Sequence, residues 1–388
     1  MVHWGWEAPG APAATLDQPF PVLVQRRRSK GVTKNRSRFW LTLVITAVAV
    51  GAICLWLWRA AEGGFDWQKV ATAFRNLNYA WIAASIVLAI LTYVGRALRW
   101  AVLIKPIKPK PNLVSLFNAT VIGFTALVLF GRPGEFVRPY LIAVKERLPV
   151  ASQFAAWTLE RVFDLLAALL IFGIALSSVQ SSGVATGPTV TRALEVGGSV
   201  VWILSVACIV ALWILANHAE TMKRRLLDAL ALLPADKLHA IEGLADAFVK
   251  GVTATRHKSS MLLIVGYTVL EWILISGCYY AIFRAFPALD QLGLVDALIF
   301  LGFVAFGAVV QLPGIGGGVQ VVSVVVLREL FQIPLEVASS IAVVIWVITF
   351  VVIVPIGIPI ALREGLNWKR LRALDEQAAK AVEEAKAS

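Results

Sequence analysis

The residues best suited to chemistry lie at a proline–glycine turn that follows an apolar run. The segment "FGRPGEFVRP", Phe130–Pro139, holds two arginines and one glutamate directly after the apolar residues 113–130. A helix beginning at Gly134 would aim its free N–H groups and the positive end of its dipole at this turn, where anions bind readily. Arg132 and Arg138 would flank the same place. The pattern predicts that these residues bind a phosphate-like anion.

The neighbouring residues extend this predicted site, and the sequence leaves their roles open. Glu135 falls in the first turn of the helix, where it would cap the helix, pair with Arg138 or contact the ligand directly. A second proline–glycine break, "PGIGGG", occupies positions 313–318. Its glycines would let a bulky group approach the backbone closely. The substrate-binding residues predicted at this second break are Gly316, Gly317, Gly318 and Gln320.

Six further charged residues lie within or at the ends of apolar runs, and at the centre of a span each would cost roughly 2.5–3.5 kcal/mol. They are Arg96, Arg99, Glu160, Arg161, Asp164 and Glu271. The spacing of the three residues between 160 and 164 allows local ion pairs on one helix. Snorkelling to the cytoplasmic interface is the preferred interpretation for Arg99, whereas for Arg96 it is balanced against headgroup contact. Glu271 has no oppositely charged sequence neighbour, so it needs a partner from another helix or a proton, and it is a candidate for proton coupling.

Composition determines the broad class of the protein. Of 388 residues, 59% are hydrophobic and only 15% are charged, whereas about a quarter of the residues of a soluble domain are charged. We therefore predict an all-α polytopic membrane protein. The net charge of +12 fits basic cytoplasmic loops better than nucleic-acid binding. The cysteines lie in apolar runs and the histidines are scattered, so neither a metal site nor a cofactor is predicted.

Hydropathy and charge also predict the topology. Residues 1–38 are interpreted as a disordered basic cytoplasmic tail, 39–362 as the membrane domain, and 363–388 as a cytoplasmic C-terminal tail. Within 219–258 we predict amphipathic helices on the cytoplasmic surface, and residues 67–77 predict an interfacial helix on the outer side. Six full spans are expected, at 39–58, 79–103, 155–178, 197–216, 260–283 and 337–361.

Two segments, 112–148 and 294–331, do not fit simple spans. Each contains an apolar run, a proline–glycine break and a second, shorter run that ends in charged residues. All strongly basic loops fall on the cytoplasmic side if the first segment enters from the cytoplasm and the second from outside. Both are then re-entrant hairpins, in an inverted repeat whose breaks meet around an internal cavity. The alternative is a chance likeness between two kinked helices.

Four motifs, "GRALRW", "GRPGEFVRPY", "LERVFDLL" and "PGIGGG", occur in this order. Together they resemble the lysylphosphatidylglycerol synthase transmembrane, or flippase-like, family over roughly residues 39–365. The resemblance implies movement of charged lipids between leaflets, by a stand-alone member without an aminoacyltransferase domain. It also implies cavity roles for the arginines and carboxylates at positions 132, 135, 138, 160, 161 and 164. The second break of such proteins often carries a glutamate where this chain has Gln320, which removes one charge.

The resulting prediction is a flippase or scramblase for an anionic or modified phospholipid, or for a polyprenyl- or hopanoid-type lipid. We expect a multi-pass protein of the bacterial inner membrane with both termini in the cytoplasm. Its expected partners are the lipid substrate, lipid-modifying enzymes of the same pathway and a second copy of the chain. Three alternatives stay open: an integral-membrane transferase acting on a lipid-linked substrate, a transporter of a small metabolite, and a non-catalytic subunit of an envelope lipid pathway.

Overall fold

The structure is a computed structural model that describes residues 65–181, 188–229, 242–243, 245–246, 249, 258–308, 311–312 and 316–365. This part of the chain is almost entirely helical, which confirms the predicted all-α class. Its α-helices are α1 (Trp67–Arg75), α2 (Tyr79–Ile104), α3 (Leu113–Phe130), α4 (Val137–Glu146), α5 (Val150–Ser181), α6 (Pro188–Ala229), α7 (Lys258–Ala285), α8 (Leu294–Gly307), α9 (Gly318–Glu329), α10 (Leu335–Trp346) and α11 (Val354–Arg363).

Several of these helices have the length and composition of membrane spans. Among the described residues, four helical stretches are long and apolar enough to cross a bilayer: Tyr79–Ile104, Leu113–Phe130, Ser259–Ala285 and Leu335–Arg363. A polytopic membrane protein is therefore confirmed. The predicted span at 39–58 and most of both predicted tails lie outside the described residues, so the count of six spans stays a prediction.

The segment 112–148 forms a helical hairpin, named the first hairpin below. The side chain of Asn112 accepts hydrogen bonds from the first backbone N–H groups of α3 and so begins that helix. Gly131 ends it with φ 73° and ψ −152°, a conformation that favours glycine. A 3-10 turn, Arg132–Phe136, then reverses the chain into α4. Because the backbone N–H of Asn112 donates to Glu146 at 3.4 Å, the two arms start and finish at the same end of the bundle.

The segment 294–331 forms the second hairpin, from α8 and α9. Its tip contains a two-residue antiparallel ladder in which Gln311 pairs with Gly317 and Leu312 with Gly316. Gly317 has φ 138°, so glycine is needed there for the turn into α9. The ring of Phe331, just beyond α9, packs edge-on against Phe283 near the end of α7. Because α8 begins shortly after α7 ends, both arms of the hairpin meet the rest of the protein at that end.

The two hairpins enter the helix bundle from opposite ends. The basic end comprises residues 105–112, 145–149 and 363–364, joined by ion pairs such as Lys145–Glu364 at 2.6 Å and Lys108–Glu146 at 2.6 Å. The opposite end comprises residues 66–79, 285–294 and 330–336. There the backbone N–H of Asn78 donates to the carbonyl of Ala285 at 2.9 Å. The position of either end relative to a membrane stays a prediction.

The last apolar stretch is less regular than the single span predicted for 337–361. A π-helical turn, Val347–Val351, separates α10 from α11. The hydroxyl of Tyr93 donates to the carbonyl of Thr349 inside this turn at 3.3 Å. In α11, Gly357 packs so closely on α3 that a Cβ there would lie 1.9 Å from Thr125 Oγ1. This end of the chain therefore holds the first hairpin against α2.

Candidate functional site

The centre of the site is the Glu160 carboxylate on α5, whose side chain is fully buried. Arg99 from α2 reaches its Oε1 at 2.6 Å, and Arg138 from α4 donates to both of its oxygens at 3.0 and 3.1 Å. Arg161 lies 3.4 Å away and Arg96 3.8 Å away. One carboxylate therefore joins arginines from three helices, which is typical of charged groups shielded inside a membrane protein.

Two more carboxylates complete the pairing of these arginines. Arg99 Nη1 lies 2.7 Å from Asp164 Oδ1 and also donates to Thr268 Oγ1 at 3.1 Å. Glu271, which is fully buried on α7, lies 2.6 Å from Arg96 Nη2 and 3.2 Å from Arg99 Nη2. Neither Glu271 oxygen has an aligned hydrogen bond among the described residues, so charge attraction holds it in place.

Aromatic rings cover the arginines on the side of α2 and α3. The guanidinium carbon of Arg138 lies 4.2 Å from the centre of the Trp100 ring, and that of Arg96 lies 4.8 Å from the centre of Phe124. Such contacts stabilise a desolvated cation by about 2 kcal/mol or more. Gly123 makes room for this arrangement, because a Cβ there would lie 2.5 Å from Arg138 Cβ.

The tips of the two hairpins meet beside this network. Arg132 Nη2, from the 3-10 turn of the first hairpin, donates to the carbonyl of Ala308 at the end of α8 at 2.6 Å. The same guanidinium pairs with Glu135 at 3.2 Å, and Glu135 in turn pairs with Arg161 at 3.2 Å. A continuous chain of polar contacts therefore runs from the second hairpin to the buried charges on α5.

A small cavity opens onto these charges. Its lining residues are Gly123, Phe124, Leu127, Glu135, Arg138, Trp157 and Arg161, and its volume is about 10 Å³, which is room for about one water molecule. Three of them carry a buried N–H donor without a hydrogen-bond partner among the described residues: Arg138 Nε, Trp157 Nε1 and Arg161 Nε. This cavity is too small for a lipid headgroup in this conformation, and its lining contains no residue of the second hairpin. A larger cavity between the two breaks stays a prediction.

The charges of the site do not cancel. The network contains the arginines at 96, 99, 132, 138 and 161 and the carboxylates at 135, 160, 164 and 271. Five guanidinium groups against four carboxylates leave one positive charge when all are ionised. In the part of the chain that the structure describes, no group of three His, Cys, Asp or Glu side chains could hold a metal ion.

Comparison with known proteins places the chain in a family. A model of the lysylphosphatidylglycerol synthase TM region matches residues 43–357. The chain belongs to this family. It is also similar to the glycosyltransferase AglD of Haloferax volcanii, with 25% identity over 142 residues, which are 36% of this chain and 22% of that protein. The match thus spans about a fifth of the relative's length. No solved structure matches the chain.

In this member of the lysylphosphatidylglycerol synthase TM family, two sequence interpretations need correction. Arg99 does not snorkel, because its side chain is fully buried among carboxylates. Glu135 pairs with Arg132 and Arg161, whereas Arg138 pairs with Glu160. The pair of Arg132 with Glu135 is three residues apart in one segment, but spacing could not reveal the partners Arg161 and Glu160, since α5 supplies them.

The residues at the breaks also have structural roles that the sequence did not indicate. Gly134 lies within the 3-10 turn, and α4 begins only at Val137. A Cβ on Gly134 would lie 2.3 Å from the carbonyl oxygen of Ala126, so close backbone packing requires this glycine. Gln320 Oε1 accepts a hydrogen bond from Gly317 N at 2.7 Å and caps α9, while Gly318 begins that helix. Contact of these residues with a substrate stays a prediction.

Sequence reasoning missed the uncharged members of the site. Trp100, Phe124, Trp157 and Thr268 all contact or line it. Trp157 could have been found, because it precedes Glu160 by three residues and Arg161 by four and so shares their helix face. Thr268 likewise precedes Glu271 by three residues. No comparable local signal marks Phe124, which reaches the site through hairpin packing.

Proposed function

We propose that this protein moves lipids with an anionic or zwitterionic headgroup between the leaflets of a membrane. The observation that carries the proposal is the cavity lined by three N–H donors that have no partner among the described residues, beside a charge network with one net positive charge. Each buried unpaired donor costs about 1–3 kcal/mol. A phosphodiester oxygen would accept from these donors and balance the charge, so headgroup binding would relieve an unfavourable feature of the empty site.

Binding requires the site to open, because the cavity holds about one water molecule. The contacts across the opening are those of Arg132 with Ala308 and of Glu135 with Arg161. Separation of the hairpin tips would widen the cavity while the lipid tails stay in the bilayer between the helices. Helical hairpins that meet at a central site are the usual device of alternating-access transporters.

Charge distribution supports an orientation with the basic end in the cytoplasm. The ranges of the basic end contain six basic and two acidic residues, whereas those of the opposite end contain two basic and three acidic residues. Cytoplasmic loops carry the excess of lysine and arginine, which favours the bacterial inner membrane with the first hairpin entering from the cytoplasm. Lys110→Cys tests this orientation in a variant that lacks the three native cysteines. The new cysteine should react with a membrane-impermeant maleimide only in inside-out vesicles. Reaction only in right-side-out vesicles would show the opposite orientation.

The proposal is tested by lipid flipping in proteoliposomes. Fluorescent phosphatidylglycerol, its lysyl form and a polyprenyl phosphate are each reconstituted, and a quencher is added outside. With the wild-type protein, we expect the quencher to remove all of the fluorescence of at least one lipid. With Arg138→Gln, we expect it to remove about half of that fluorescence. Arg75→Gln serves as the matched control, because Arg75 is exposed at the end of α1. Half quenching of every lipid by the wild-type protein would refute lipid translocation.

Proton movement is the proposed energy source, with Glu271 as the group that carries the proton. An imposed proton gradient should change the wild-type flipping rate and leave that of Glu271→Gln unchanged. Glu329→Gln, a change at an exposed position, should keep the response. An identical response in wild type and Glu271→Gln would remove Glu271 from this role.

A lipid-linked transferase is the second candidate, and the match to a protein named a glycosyltransferase supports it. In that case Glu160 or Asp164 would act as the base on an acceptor hydroxyl. Purified protein incubated with a polyprenyl phosphate and nucleotide sugars would then form a glycosylated lipid detectable by mass spectrometry. Product formation that Arg138→Gln and Asp164→Asn abolish would favour this candidate over translocation.

A further inference from the structure

A second cleft lies at the opposite end of the bundle, outside the charge network. It has a volume of about 410 Å³ and is open to the surface. One wall is a polar face of α1 with the preceding Asp66 and includes Lys69 and Asn76. The other wall is apolar and includes Phe286 and Val337. A cleft with one polar and one apolar wall suits a ligand that has both characters.

The orientation of α1 sets the depth of this cleft. At 100° per residue, Lys69, Thr72 and Asn76 share one side of the helix, while Trp67 and Phe74 share the other. No residue of α1 is buried, and Trp67 is 74% exposed. An amphipathic helix with an exposed tryptophan lies at the boundary between headgroups and acyl chains. This pattern predicts that the cleft lies at the depth of lipid headgroups.

Two charged residues at the cleft, Lys69 and Glu336, have no oppositely charged partner among the described residues. Glu336 is buried, accepts a hydrogen bond from the backbone N–H of Asp66 at 3.4 Å, and has no cation within 4 Å among the described residues. Lys69 likewise has no carboxylate within 4 Å in that part of the chain. A buried carboxylate without a cation is unfavourable. Asp66 lines the cleft and caps α1 through Oδ1, which accepts from the backbone N–H groups of Gln68 and Lys69 at 2.8 and 3.4 Å. The Glu336 carboxylate lies beside the Asp66 backbone, just behind the lining of the cleft. The Lys69 ammonium group is one helical turn from Asp66.

We propose that this cleft binds the headgroup of a phospholipid that carries a primary ammonium group, of the phosphoethanolamine type. The lipid ammonium group binds the Asp66 carboxylate, where the negative charge of the adjacent Glu336 also attracts it, and the lipid phosphate binds Lys69. Phe286 and Val337 contact the glycerol and the first methylene groups. An anionic headgroup without an ammonium group would bring no cation to these two carboxylates, so the cleft selects against phosphatidylglycerol. The site stands on its own residues and does not require translocation.

Photo-cross-linking of the full chain in bilayers tests this site. A small diazirine-bearing residue replaces either Thr72, which lines the cleft, or Ala71, which is exposed on the other side of α1. The bilayer contains equal amounts of phosphatidylethanolamine and phosphatidylglycerol, and mass spectrometry measures both adducts. The expected ratio of ethanolamine to glycerol adducts is about threefold higher at position 72 than at 71.

Two charge variants complete the test. Glu336→Gln and Asp66→Asn should each lower the ratio at position 72 toward the value at 71. Because asparagine caps a helix about as well as aspartate does, the second variant keeps the test valid if Glu336→Gln fails to fold. Equal ratios at the two positions, glycerol enrichment at 72, or enrichment that survives Asp66→Asn would each overturn the proposal. Flipping rates measured on the same samples separate this outcome from that of the central site.

Discussion

Arg132 Nη2 donates to the carbonyl oxygen of Ala308 at 2.6 Å, and this contact joins the tips of two hairpins that enter from opposite ends of the bundle. Carbonyl groups in the last turn of a helix lack intrahelical partners and carry partial negative charge. At the end of α8, the Arg132 guanidinium group supplies the missing hydrogen bond, and its positive charge compensates the partial negative charge. The contact therefore stabilises the conformation in which the central cavity is closed.

Loss of this contact should open the cavity more often. A charged hydrogen bond contributes about 1.5–3 kcal/mol, and the 42% exposure of the Arg132 side chain reduces this to about 1 kcal/mol. With Leu127→Cys as a reporter in a chain lacking native cysteines, Arg132→Ala should raise the maleimide labelling rate about fivefold. Arg75→Ala should leave the rate unchanged. Equal rates for the Arg132 and Arg75 variants would show that the contact does not hold the tips.

Removal of one cavity N–H donor that has no partner among the described residues should lower lipid affinity without lowering protein stability. Trp157→Phe keeps the aromatic ring but deletes a buried N–H that lacks a partner, so the empty protein should be as stable as the wild type or more stable. Affinity for the transported lipid should fall about tenfold, as expected for one lost hydrogen bond to a charged group. The measurement is the lipid concentration at half-maximal flipping rate, together with the thermal unfolding midpoint.

Trp272 supplies a matched control for this prediction. Its Nε1 is also buried without a partner among the described residues, but it does not line the cavity. Trp272→Phe should reproduce the effect on stability and leave the lipid affinity unchanged. If both variants weaken lipid affinity equally, the Trp157 donor is not part of the binding site.

Gly134→Ala should destabilise the first hairpin. The added Cβ would lie 2.3 Å from a backbone oxygen of α3, and a backbone cannot move aside as a flexible side chain can. We expect a loss of about 3 kcal/mol and a fall in the unfolding midpoint of roughly 5–10 °C. Gly266→Ala in α7 is the control, because a Cβ there meets nothing within 4 Å and alanine favours the helix. Similar midpoints for both variants would contradict the close packing at Gly134.

Glu160→Gln should lower the thermal stability of the protein more than any single arginine substitution in the network. It leaves four guanidinium groups without their shared carboxylate, and an uncompensated buried charge costs about 3–5 kcal/mol. The double variant Glu160→Gln/Arg138→Leu should recover part of this loss, since it removes one of those cations. Thermal unfolding in detergent measures both effects, with the exposed Glu329→Gln as a reference. A double variant less stable than the single one would show that charge balance is not the cause.

The parts of the architecture with a local cause could be predicted from the sequence. The proline–glycine pair at 133–134 marked the first break, and the pair at 313–314, which lies outside the described residues, falls in the interval between α8 and α9. The ion pair of Arg161 with Asp164, 2.9 Å apart, follows from three-residue spacing on one helix. The partners of Glu271 could be expected only as groups on another helix. Packing of α2 against α7 decided that they are Arg96 and Arg99.

Features that depend on tertiary packing could not be predicted. The hydropathy of 337–361 indicates one regular span, yet this stretch contains a π-helical turn. At that turn the Tyr93 hydroxyl donates a hydrogen bond to a backbone carbonyl. Hydropathy also treats an arginine at a span end as a surface group. Arg99 is buried because three carboxylates from α5 and α7 surround it, and no pattern within α2 encodes those neighbours.

The cavity of about 10 Å³ has a consequence for the membrane that holds the protein. Ions move through proteins with a chain of water molecules, and this space has room for about one. In the closed conformation this cavity therefore gives ions no continuous water path past the buried charges. A cell could keep many copies idle without dissipating its membrane potential, and a planar bilayer containing the protein should retain its resting resistance.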